Sequence, residues 1–182
     1  MRKLKNKIKN TLLRLKIKLK YKKSYFEVGD NVFISTKAKI IMGKNSKLII
    51  CNNSYISDSV RLIVHDNSEL IIDERVYVSI NTIISSNSKV SIGSDTSIAH
   101  NVTIIDTNKN YSNINLKIKE QGAIAKPIVI DNDCWIAAGV VILPGVSLGK
   151  HCVVAANAAV NKSFEASSVL GGVPAKLLNK LG

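Results

Sequence analysis

Ile130, Ile136, Ile142, Leu148, Val154 and Val160 stand six residues apart, and every one is aliphatic. Adding four to each number gives Cys134, Val140, Val146, Cys152, Ala158 and Phe164, which are again all apolar. Helices repeat every 3.6 residues and strands every two, so neither accounts for this frame. A chain that turns a corner every six residues does. Each short face then sends one side chain inward, three faces make a coil of about 18 residues, and stacked coils bury a continuous aliphatic column. The pattern predicts an all-β chain folded as a parallel β-helix.

The frame continues upstream with small insertions. Ile92, Ile98 and Ile104 form one set, and Ile72, Val78 and Ile84 another. The stretches 51–56, 73–78, 93–98 and 131–136 align as equivalents, with turn-forming KNS, DNS and SNS between repeats. The long spacing before Ile92 predicts an extra pair of residues bulging at a corner. A β-sandwich would instead show plain alternation in strands spaced 8–12 residues apart. One segment breaks the repeat: DTNKNYSNINLKIKEQGAIAKP, residues 106–127. A polar excursion of this length inside a compact domain points to function.

Composition agrees with the column. Hydrophobic residues make up 46% of the chain but aromatics only 5%, which suits thin layers of Ile, Val, Leu and Ala. The net charge of +13 is concentrated in residues 1–23, which hold eleven Lys or Arg and no acid. The remainder is close to neutral, which disfavours a nucleic-acid-binding domain. Within this arm Leu4, Ile8, Leu12, Leu15 and Leu19 fall on one helical face among lysines. Such a helix suits an anionic membrane surface, or it packs in an oligomer or stays solvated. The alternation in LRLKIKLK also permits a strand from Leu13 onward.

Cys51, Cys134 and Cys152 show no metal or disulfide spacing and read as free thiols of a reducing compartment. No run of 18 apolar residues is present, and the lysines leave no room for a signal-peptide apolar region. The expected location is therefore cytoplasmic, at most peripheral at the inner face of the membrane. The expected organisation is a basic arm at 1–23, then a β-helix domain at 24–182 with the inserted loop 106–127 and a C-terminal tail.

Four stretches, NVTIIDTNKNY, KPIVIDNDCWIAAGVVILPGVSLG, VVAANAAVNKSF and GGVPAKLLNK, resemble the hexapeptide-repeat acetyltransferases. The likeness is to the maltose/galactoside and polysaccharide O-acetyltransferase branch, and it covers about residues 25–180. The resemblance implies a left-handed β-helix, a homotrimer and a site in the groove between two subunits. It implies acetyl-CoA as co-substrate, no metal, and a sugar hydroxyl of a surface polysaccharide or its precursor as acceptor. It places Ala138 and Ala156 along the pantetheine arm, Lys162 and Lys176 near the CoA phosphates, and Trp135 beside the catalytic loop. Small residues let a flat ligand approach the backbone, and lysine supplies charge to phosphate. Without a ligand, the same residues read as small corner residues, solvated lysines and a cap on the coil stack.

The chain departs from the family at one decisive place. The family motif resembles I-I-D-T-D-H-N, in which the histidine takes the proton of the acceptor hydroxyl. Here Asn108 replaces the acid and Lys109 the histidine. A lysine accepts a proton only when burial or neighbouring cations favour its neutral form. The candidate bases are therefore Lys109, relieved of an acidic neighbour by Asn108, or His100 on the same coil, or a group elsewhere. The alternative function is a catalytically degenerate CoA-binding or scaffold member of a glycan-assembly complex. A zinc enzyme of this fold needs three clustered histidines, and His65, His100 and His151 fall in different registers.

Overall fold

The computed structural model describes residues 11–182 apart from Arg14 and Lys18. Leu4 and Ile8 of the expected stripe lie outside the described residues. The body is a left-handed parallel β-helix. Its coils contribute to three sheets, and a separate hairpin leaves the stack. The first face runs through Tyr25–Val28, Lys47–Ile50, Glu69–Ile72, Lys89–Ile92, Ile128–Ile130 and Ser147–Leu148. The second face begins at Phe33–Ile34 and continues through Tyr55–Ile56, Tyr77–Val78, Ser97–Ile98, Trp135–Ile136, Val153–Val154 and Ser168–Gly171. The third holds Lys39–Met42, Arg61–Val64, Ile83–Ser86, Thr103–Ile105, Val141–Ile142 and Ala159–Val160.

The hexad register holds. Ile130, Ile136, Ile142, Leu148, Val154 and Val160 are each 1% exposed or less. Their companions Cys134, Val140, Val146, Cys152 and Ala158 are buried, and Phe164 packs partly buried at the end of the column. Equivalent positions stack directly, as in Ile56, Val78, Ile98 and Ile136. Burial raises the Cys134 thiol to about 11, so it serves as a small neutral core residue.

The insertions do something other than bulge. Ile84 and Ser86 both point inward on the third face, and Val90 and Ile92 both point inward on the first. The extra pairs lengthen strands instead of swelling corners. In the lower coils the first and third faces are four residues long and bury two side chains each, as in Leu48 with Ile50 and Leu62 with Val64. The column is therefore broader at its N-terminal end than at 127–162.

Most corners place a residue in the left-handed region, and asparagine fills many of them: Asn31, Asn45, Asn53, Asn67, Asn81, Asn101 and Asn157 all have φ between 54 and 61°. Asparagine tolerates this conformation better than other residues with a Cβ. Stacked corners are tied by side chains as well. Asn31 Nδ2 donates to Asn53 Oδ1 at 3.0 Å, Arg75 pairs with Asp95 at 2.6 Å, and His151 Nδ1 meets Asp133 Oδ2 at 2.7 Å.

The end below the first coil is covered by a helix, found at 11–13, 15–17 and 19–20. The strand option from Leu13 is thus not taken. Ile17 is buried, and Leu13 and Tyr21 pack on the core, one helical turn to either side. Leu12, Leu15 and Leu19 face outward at 62, 55 and 73% exposure. The expected stripe is therefore the free face of the helix, and a second apolar stripe, unrecognised in the sequence, docks it. Among the described residues no helix is long and apolar enough to cross a membrane.

Ile136→Asp places a carboxylate in the dry column with no partner, at a cost of several kcal/mol. It should abolish soluble expression, read by fractionation of cell lysates. A soluble variant with an unchanged melting temperature would refute this register.

Candidate active site

The excursion at 106–127 leaves the stack where the third face ends. Asp106 is completely buried there. Its carboxylate accepts from the backbone N–H of Asn87 at 2.7 Å and Ser88 at 2.8 Å, and from the Ser86 hydroxyl at 3.3 Å. Its carbonyl accepts from the N–H of Lys126 at 2.8 Å. One residue thus ties the departing strand to the coil below and to the returning chain. The strands Thr107–Lys109 and Ala123–Ala125 pair antiparallel beyond it, and the Gln121 side chain donates to the carbonyls of Asn113 and Leu116. Asp106 carried no role in the sequence reading. Its signal was its place, an acid at the end of an inward-facing aliphatic strand.

Lys109 and Asn108 are exposed on this hairpin. They line a cavity of about 310 Å³ with Tyr111, Ile124, Lys126 and Pro144. Pro144 belongs to the corner between the third and first faces, so the hairpin leans on that corner. Lys162 follows the last strand of the third face, near the same corner at the top of the stack, with its Nζ 5.4 Å from the centre of the Phe164 ring.

The other candidates collect on the opposite edge. His100, Ala138 and Ala156 are stacked corner residues between the second and third faces: Gly139 N–H donates to the His100 carbonyl at 3.1 Å, and Asn157 N–H to that of Ala138 at 2.9 Å. Gly139 sits in this column at φ 71°, and a Cβ there would lie 2.2 Å from Asn157 Oδ1. Trp135, 55% exposed, stands just before this corner on the second face, between Ser97 and Val153. It caps nothing. Lys176 begins the strand Lys176–Lys180, which pairs antiparallel with Ser168–Gly171 at the end of the second face.

Within one chain, then, the structure gathers His100, Trp135, Ala138, Ala156 and Lys176 along one edge of the third face. It places Asn108, Lys109 and Lys162 along the other. His65 lies lower on the same edge as Lys109, His151 lies on the edge between the first and second faces, and among the described residues no group of three His, Cys, Asp or Glu is placed to hold a metal.

The bacterial transferase hexapeptide model, six repeats long, matches residues 127–162, the strictest part of the stack. Residues 127–162 are thus a run of bacterial transferase hexapeptide repeats. The chain is 35% identical over 104 residues to a putative lipopolysaccharide biosynthesis O-acetyl transferase of Escherichia coli, covering 53% of each. It is 32% identical over 104 residues to the galactoside O-acetyltransferase of the same organism, covering 57% of this chain and 50% of that one. Against a probable acetyltransferase of Mycobacterium tuberculosis, 32% identical over 98 residues, it covers 33% of that protein. The chain therefore spans about half or less of these curated relatives. Among solved structures, galactoside acetyltransferase in complex with coenzyme A superposes with a TM-score of 0.60 at 26% identity, over 86% of this chain and 66% of that one. An N-acyltransferase from Bacillus cereus gives 0.74 at 18% identity, over 93% and 89%, and shows the shared fold.

Asp106→Ala should loosen the loop while leaving the coils stacked. Each N–H left without a partner costs roughly 1–3 kcal/mol. The variant should melt lower and be cut faster by trypsin after Lys109, Lys117 and Lys119. Equal cleavage rates in both proteins would show that Asp106 does not hold the loop.

Proposed function

We propose that the chain is an acetyl-CoA-dependent O-acetyltransferase that modifies a sugar hydroxyl of a surface polysaccharide or its precursor. The observation that carries this reading is the edge formed by His100, Ala138 and Ala156. It offers a base and, above it, a row of small residues along which a pantetheine arm can lie against backbone, with Trp135 beside it. The likeness to a galactoside O-acetyltransferase and to a putative lipopolysaccharide biosynthesis O-acetyl transferase supports the acceptor class.

His100 is the better placed of the two candidate bases. It stands at the foot of the small-residue row, and an imidazole takes a proton without first being desolvated. Lys109 is exposed on the single chain, whereas a neutral lysine base requires burial. In the proposed step His100 removes the proton of the acceptor hydroxyl. The oxygen attacks the thioester carbonyl, the C–S bond breaks, and the imidazolium returns the proton to the departing thiolate. Lys109 then acts as a cation of the groove, and Lys162 and Lys176 meet the CoA phosphates.

The two edges carrying these groups cannot close on each other across their own third face. A ring of identical subunits joins unlike surfaces head to tail, which sets one edge of each copy against the other edge of its neighbour. We therefore read the active form as a homotrimer, with the loop of one copy completing the site of the next. Light scattering should give three times the chain mass of 19.8 kDa.

The decisive assay follows CoA release with glycan acceptors. His100→Ala should lower kcat at least about 100-fold, within the range of a lost general base, and Lys109→Ala should retain more than about a tenth. The reverse pattern would make Lys109 the base. Wild-type protein that binds acetyl-CoA and acetylates no glycan would establish the scaffold reading instead.

A further inference from the structure

Below His100, on the same edge and face, lies a cavity of about 430 Å³ lined by Lys37, Lys39, Ser59, Arg61, Asn81 and Ile83. Three of these six residues are cations and none is an acid. Asp58, beside Ser59 on the same corner, is engaged by Lys37 Nζ at 2.9 Å and by the Ser35 hydroxyl. Lys39 and Arg61 are direct register partners on adjacent strands. Among the described residues neither forms an ion pair.

The first face shows how the chain otherwise arranges such a row. There the register partners are Lys47, Glu69 and Lys89, and the central Glu69 meets both lysines, at 3.9 and 3.7 Å. On the third face the corresponding row reads Lys39, Arg61, Ile83. Like charges placed opposite each other destabilise a sheet unless something neutralises them. An anion in the cavity would do so, with the planar guanidinium of Arg61 matched to a phosphoryl group. Ser59 and Asn81 add a hydroxyl and an amide from the stacked corners.

We propose that Lys39 and Arg61, with Ser59 and Asn81, form a phosphoryl-binding subsite for the acceptor, so that the acceptor is a glycosyl phosphate or diphosphate. This rests on the acetyl-transfer reading above and adds the substrate's charged end. The placement separates the subsite from the CoA groove. Ala138 and Ala156 lie above His100, toward the C-terminal end, whereas the cations lie below it. Thr103, three residues after His100, is two strands above Arg61 and three above Lys39 in one ladder. At about 4.8 Å per strand these are separations of roughly 10 and 14 Å. A sugar ring joined to a phosphodiester reaches across such a gap, its hydroxyl at His100 and its phosphoryl group between the two cations.

The test uses the full chain and two measurements. Calorimetric titration with inorganic pyrophosphate should show saturable binding to the wild type. Lys39→Ala/Arg61→Ala should weaken it at least tenfold, with acetyl-CoA affinity unchanged. A control Lys47→Ala/Lys89→Ala, which removes the same charge from the first face, should bind pyrophosphate like the wild type. Equal pyrophosphate affinity in the wild type and the Lys39/Arg61 variant, or no binding to the wild type, overturns the subsite. The second measurement compares KM for a free hexose, a UDP-hexose and a polyprenyl-diphosphate hexose in detergent. A KM at least tenfold lower for either phosphorylated acceptor, lost in the Lys39/Arg61 variant, supports the proposal and names the source of the phosphate. Equal KM for all three overturns it. Pyrophosphate binding that depends on Lys39 and Arg61, without acetylation of any acceptor, would sink the transferase reading and keep the anion site.

Discussion

The requirement that one aliphatic side chain per short face enter a dry column governs everything else in this molecule. It fixes the distance between corners, and corners fixed in number stack in register. Backbone hydrogen bonds then run from coil to coil at every strand, and polar side chains are left with the corners and the outer faces. A functional group in such a fold is located by two coordinates, its column and its coil. His100, Ala138 and Ala156 share a column and differ in coil. Lys39 and Arg61 share another.

The sequence revealed the column because the fold is periodic and nearly free of long-range choice. Ile136 and Val154 were identifiable as inward from spacing alone, since a residue displaced by one position would meet solvent. The lower coils were less legible. Replacing six residues by eight on two faces keeps the inward alternation of a strand, and spacing cannot distinguish a lengthened strand from a swollen corner. The helix was half read: Leu12, Leu15 and Leu19 form its free stripe, while Leu13, Ile17 and Tyr21 become recognisable only against the coil end they cover.

The candidate site was legible by column and not by grouping. Ala138, Ala156 and His100 could each be placed on a corner, yet that they form one edge follows from the register across the inserted loop, which shifts the numbering from coil to coil. Lys109 and Lys162 belong to the far edge for the same reason. Asp106 escaped notice because a buried carboxylate is recognisable only by what donates to it, and its donors, Asn87 and Ser88, lie on the coil below.

Both ends of the stack are closed by elements that do not follow the repeat. A parallel coil presents a row of unsatisfied N–H and C=O groups above and below, and nothing in the repeat itself says where stacking should stop. Here Ile17 and its helix lie across the lower end, and Lys176–Lys180 runs back antiparallel along Ser168–Gly171 at the upper one. These closures turn an open-ended polymer geometry into a stack of fixed height and deny it the end-to-end growth of a fibre.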